Sequence, residues 1–167
     1  MRIGESMLPE FDQEIAGTRK VLARIPDDKF DWRPHPKSFT LGQLANHVAN
    51  LAAWGGVTLR STELDFAPKG GEPLKMPEAS SSAGLVANLD GGAAETRAAL
   101  AAAADADFGV DWTLRAGDEV FFTMPRGVVL RGMVLNHLIH HRAQLTVYLR
   151  LLDVPVPGLY GPSADEA

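Results

Sequence analysis

The sequence predicts an all-α fold, a four-helix bundle, and three observations predict it. Four stretches carry apolar residues at the 3.6-residue period of a helix. One long connection, Ser61 to Ser80, holds three prolines and two adjacent glycines and is long enough to cross a bundle end. Histidines fall on the second and fourth stretches, where facing helices of a bundle can build a metal site from inward side chains. The one expected departure from all-α is a small hairpin before the last helix. With 167 residues the chain is within the size of one domain, 1–167, and no internal repeat or second boundary is visible.

The first helix is expected from about Pro9 to Arg24. Phe11, Ile15, Val21, Leu22 and Ile25 keep helical spacing, Pro9 suits a first turn, and Pro26 stops the run. Proline-rich PDDKFDWRPHPKSF follows as a surface loop, with His35 between two prolines as an exposed loop histidine. Thr40 opens the second helix: Gln43 completes a capping box, and Phe39 can staple against Leu44. Leu41, Leu44, His47, Val48, Leu51 and Trp54 then share one face, and the helix runs to about Arg60. Ser81 or Ser82 caps the third helix, with Leu85, Leu89, Ala93 and Leu100 in line and the run AALAAAA expected to allow close packing. Gly91 and Gly92 weaken it by about 1 kcal/mol each relative to Ala. WTLRAGDEVFF reads as the hairpin, turning at Ala116, Gly117 and Asp118. Pro125 fits the first turn of the fourth helix, which ends before Val154-Pro155-Val156-Pro157.

Composition narrows the function classes. With 46% hydrophobic and 22% charged residues, the chain can bury a core. A net charge of −5 with no Lys/Arg cluster leaves no footprint for nucleic acid or an anionic membrane surface. Cysteine is absent, so disulfides, thiolate ligands and cysteine nucleophiles are excluded, and metal chemistry must rest on His, Asp and Glu. The start, MRIGESMLPEF, lacks a signal-peptide core, and no stretch reaches about 18 continuous apolar residues. The cytoplasm is the expected compartment.

If Leu130 to Leu152 is one helix, Leu130, Met133, Val134, His137, His141, Gln144, Tyr148 and Leu152 form one stripe, with His140 at its edge and Arg142 pointing away. Residues four apart stand about 5–6 Å apart at Cβ, so His137 and His141 can grip one ion. His47 taken alone reads as a hydrogen-bonded core histidine. With His137 and His141 in one bundle it becomes a third ligand, because unsatisfied buried imidazoles cost about 1–3 kcal/mol each and a divalent cation satisfies all three. Three nitrogen ligands leave a position open, as in catalytic zinc, which can polarise a substrate or activate a bound water or thiol near neutral pH. Zinc is expected first, with nickel, iron and manganese compatible with the same ligands. Gln144 can orient an imidazole or a ligand or simply fill a helix contact, and Trp54 and Tyr148 line either a cavity or the core. Arg142 is expected to pair with an acid or to sit at a subunit contact.

The pattern His137-x-x-x-His141-Arg142-x-Gln144, with His47 in Leu44-Ala45-Asn46-His47-Val48 and the ending Pro157-Gly158-Leu159-Tyr160-Gly161-Pro162-Ser163-Ala164-Asp165-Glu166, resembles the DinB/YfiT-like metalloenzymes over nearly the whole chain. The resemblance implies an up-down-down-up four-helix bundle, often dimeric, whose His47, His137 and His141 bind a divalent metal. Ile139 and Leu149, read as outer apolar positions, agree with a homodimer. Members of that family include thiol-dependent transferases, an isomerase using a low-molecular-weight thiol, and hydrolases, so fold alone does not select the reaction. The expectation is a metal-dependent transferase using a thiol cofactor, or a hydrolase, acting on a small molecule. The alternatives are a non-catalytic metal-containing binding or stress protein and a purely structural bundle.

Overall fold

A computed structural model describes residues 1–166. Four long helices are joined by a small sheet: α1 (Ile3–Leu22), α2 (Leu41–Arg60), β1 (Glu63–Asp65), α3 (Ser82–Ala102), β2 (Asp111–Ala116), β3 (Glu119–Pro125) and α4, which spans 126–151. Helix α4 has three consecutive parts, α-helical Arg126–Val129, π-helical Leu130–Asn136 and α-helical His137–Leu151. Helix α3 packs against α1 and α2, and α4 packs against the other sides of the same two helices.

The all-α expectation is corrected. The hairpin forms where its turn residues place it, with Gly117 at φ 58°, but β1 joins it to make a sheet of order β1-β2-β3, parallel between β1 and β2. A strand of three residues is too short to show alternation, and its parallel partner lies some fifty residues on in the chain, so the Ser61–Ser80 stretch reads only as a connection. The sheet is fastened to the end of α2 at Ser61, whose hydroxyl accepts from Trp112 Nε1 (3.1 Å) and whose carbonyl accepts from Arg126 (2.7 Å). Trp112, Leu114 and Val129 form a core there, separate from the main one.

Helix α1 begins at Ile3, six residues before the expected start, and places Pro9 inside the helix. Local signals miss this because the end is satisfied from elsewhere: Ile3 N donates to Asp105 Oδ1 (2.7 Å), a residue from the far side of α3. Helix α2 has the expected capping box, Gln43 N to Thr40 Oγ1 at 3.1 Å and Thr40 N to Gln43 Oε1 at 2.9 Å. Phe39 stays 54% exposed and is not buried as a staple. Ser81 caps α3. The close α2–α3 approach comes at Gly55 and Gly92, where a Cβ would meet Thr96 at 2.4 Å and Ala53 at 2.9 Å. The alanine run does not provide it: apart from Ala103, those alanines keep solvent contact. Pro125 ends β3 as the N-cap of α4 and does not enter its first turn. Asp153, at φ 55°, takes the left-handed conformation that closes α4.

The buried face of α4 is Leu138, Arg142, Leu145 and Leu149, while the stripe His137, His141, Gln144, Tyr148 is half-buried beside it. Leu149 is therefore core and cannot serve a dimer contact. Arg142 is 2% exposed because Glu14 neutralises it at 2.7 Å; Thr18 and Tyr160 complete its hydrogen bonds. Of the two roles expected for Arg142, pairing with an acid is the one observed.

Candidate metal centre

The capping box fixes where α2 starts, and seven residues after Thr40 His47 emerges on the side facing α4. On α4 the π-helical stretch ends at Asn136, and regular α-helix then sets His137 and His141 one turn apart. The three rings form a near-equilateral triangle, with centroids 4.9 Å (47–137), 4.7 Å (47–141) and 4.7 Å (137–141) apart. One ligand atom from each lies within 4.8 Å of the other two, so the three side chains can hold a metal ion.

Two details fit the donor set to an ion. His47 Nε2 and His137 Nε2 are 3.2 Å apart. Two ligands on a tetrahedral zinc with bonds of about 2.0–2.1 Å stand about 3.3 Å apart. His141 Nδ1 donates to Gln144 Oε1 at 2.7 Å, which commits its proton to Nδ1 and leaves the Nε2 lone pair free. The same amide turns its Nε2 toward His140 Nε2 at 3.2 Å, so Gln144 links the ring in the triangle to an exposed one outside it.

Burial favours the neutral form of two of the donors, His47 and His137. His47 is pushed down to about 4, first by burial and then by the neighbouring His141 and His137. His137 is also lowered, first by burial and then by His141, with the Met133 carbonyl one turn back opposing the shift. Its Nδ1 is buried without a partner at full hydrogen-bond geometry. Unpaired buried nitrogen is costly, and a ligand on the opposite ring nitrogen polarises Nδ1–H toward that carbonyl.

Two clefts open on either side of the triangle. The first, about 410 Å³, has His47 in its wall together with Asn46, Asn50, Trp54, Met76 and Glu78. Its outer wall is a strap tied to α2 by two asparagines one turn apart. Asn46 exchanges hydrogen bonds with Ala79 (2.7 and 2.9 Å), and Asn50 donates to the Pro77 carbonyl (2.8 Å). The second, about 360 Å³, has His141 and Gln144 in its wall with Phe39, Leu44, Val147 and Tyr148. Tyr148 is oriented by its hydroxyl, which donates to the Phe39 carbonyl at 3.3 Å, and by edge-on contact with Trp32 at 5.7 Å.

Of the residues singled out from sequence, His47, His137, His141 and Gln144 come together, while Trp54 and Tyr148 fall in different clefts. His140 and His35 are exposed. Sequence reasoning missed Asn46, Asn50 and Glu78. The asparagines bracket His47 on its own helix face, which was a usable signal, but their partners are backbone atoms about thirty residues on.

A sequence model of the DinB superfamily matches residues 10–145. The uncharacterized protein YrdA of Bacillus subtilis (strain 168) is 30% identical over 166 residues, 97% of this chain and 90% of that protein. Among solved structures, a DinB-like protein from Bacillus cereus ATCC 10987 superimposes with a TM-score of 0.68 at 25% identity, over 93% of this chain and 97% of the other. The DinB-like protein YjoA from Bacillus subtilis gives 0.66 at 16% identity over 90% and 95%. A DinB family member from Exiguobacterium sibiricum 255-15 gives 0.61 at 20% over 100% and 99%. These last two speak to fold alone.

Proposed function

Because the chain belongs to the DinB superfamily, we propose that His47, His137 and His141 hold one divalent ion and that the protein is a metal-dependent enzyme acting on a small molecule. The observation that carries this is the triangle itself: three imidazoles from two helices, one of them hydrogen-bonded to Gln144. Zinc is the ion expected first from the donor type, and nickel, iron and manganese accept the same donors; the 3.2 Å nitrogen spacing is compatible with each of them. When bound, such an ion supplies Lewis-acid polarisation or lowers the pKa of a water or thiol. The chain's own part is to favour the neutral form of His47 and His137 by burial, to orient His141 through Gln144, and to receive a ligand against Trp54 on one side and Tyr148 on the other.

The reactions that fit are transfer to or from a low-molecular-weight thiol and hydrolysis. Metal analysis of protein purified without an affinity tag, followed by a substrate panel run with and without such thiols, tests the reading. Stoichiometric metal that is absent from His137→Ala and turnover of a panel member are expected. Protein that takes up no divalent metal would overturn it. A non-catalytic metal-containing binder is the second reading, favoured because among the described residues Glu78 is the only carboxylate in either cleft wall. The same reading takes 1–167 as one up-down-down-up domain, a homodimer working in the cytoplasm without nucleic-acid or membrane partners. Among the described residues, no helix is long and apolar enough to cross a membrane.

A further inference from the structure

Among the described residues, the walls of the two clefts contain no Lys or Arg. The nearest cations in sequence, Lys37 and Lys75, are exposed and lie outside both walls. Arg142, beside His141 in sequence, is turned inward and neutralised by Glu14. The first cleft is mixed: Leu51, Trp54 and Met76 share its wall with the amides of Gln43, Asn46 and Asn50, and it carries one charge, the Glu78 carboxylate. The second is mainly apolar, from Phe39, Leu44, Val147 and Tyr148. If the triangle holds a divalent ion, that ion is the one positive charge within the described walls of either cleft, and it is where a negative group of the ligand is best compensated.

We propose that the ligand of this site carries at most one negative group, which it directs to the ion. The rest of its body is neutral or cationic, its polar or amine-bearing part lying by Glu78 and its apolar part against Phe39, Val147 and Tyr148. This rests on the three-histidine reading above. It excludes as good ligands those with a carboxylate or phosphate on the body, because that second anion would meet Glu78 or an apolar wall. Glu78 is placed to discriminate by the strap that Asn46 and Asn50 tie down, which makes it a specificity residue that touches no ligand atom of the ion.

The test uses cobalt-loaded protein and three thiols of similar size: 2-aminoethanethiol, 2-mercaptoethanol and 3-mercaptopropionate. Binding is read from the sulfur-to-cobalt absorption band, with no turnover required. The preference for the amine over the carboxylate is expected to fall about threefold to fivefold in Glu78→Gln, as suits an exposed charge, and to reverse in Glu78→Lys. Comparing variants cancels the differing acidities of the thiols. Equal ratios in all three proteins, or tighter binding of the carboxylate thiol to the native protein than to Glu78→Gln, would overturn the proposal. Failure of the protein to take up cobalt would instead overturn the metal reading beneath it.

Discussion

His47 illustrates how one side chain ties stability to the site. In the folded chain burial, followed by the neighbouring His141 and His137, pushes its imidazole down to about 4, below the value of about 6.5 for an unfolded histidine. The unfolded chain therefore takes up the proton first, and stability present above pH 6.5 is lost as pH falls from there toward 4; His137, lowered for the same first cause, adds in the same direction. Thermal melts of metal-free protein should show the midpoint dropping across that window, and His47→Gln should flatten the drop. An unchanged slope in that variant would mean that other groups carry it. At the same scale, Glu14 and Arg142 form a buried pair at 2.7 Å. Removing one partner leaves a charge uncompensated, so Glu14→Gln should cost about 3–5 kcal/mol in denaturant unfolding. A loss under about 1 kcal/mol would mean that solvent reaches Arg142. That His137 and His141 meet was legible because a four-residue spacing on a helix is a local pattern, whereas His47 joins them only through the packing of two helices. Burial of Arg142 was not, since nothing near it in sequence announces Glu14, 128 residues away.

At the scale of elements, the legible boundaries are those whose signals are local. Thr40 with Gln43, and Ser81, mark the starts of α2 and α3, and Gly117 marks the hairpin. The illegible ones depend on distant partners: α1 is capped by Asp105, and β1 exists only as the neighbour of β2. The phase of α4 was half legible. A uniform helical period puts the histidines on the core face, yet the π-helical turn before His137 offsets the two halves, so the core face downstream is Leu138, Leu145 and Leu149. That offset places the histidines at an edge where clefts reach them. The strap over the first cleft belongs to this scale too. Replacing Asn46 and Asn50 together by Ala removes its hydrogen bonds to α2 without touching the triangle. Metal affinity should change less than about threefold, whereas proteolysis near 76–79 should quicken, since few other backbone bonds hold that segment. Equal loss of metal would show that the strap, not the helix, positions His47.

Across the whole molecule, an ion at the triangle would act as a cross-link between α2 and α4, two helices that belong to different parts of the chain and otherwise meet through apolar contacts. Each ligand histidine then contributes to a single binding event. His47→Ala, His137→Ala and His141→Ala should each lose more affinity than Gln144→Ala, whose orienting role is worth about 10–100-fold, while His140→Ala should bind as the native protein does. Because an ion held only by the folded chain adds stability by mass action, about 2.7 kcal/mol at a hundredfold excess over Kd, the melting temperature should rise by about 5–10 °C on metal addition. In His137→Ala the same addition should leave the melt unmoved. A rise that persists in His137→Ala would place the ion elsewhere on the molecule. A rise that vanishes in His140→Ala but survives in His141→Ala would exchange those two residues in the ligand set. The existing geometry argues against that exchange, since His140 is exposed and stands behind Gln144, while His141 faces both of its partners.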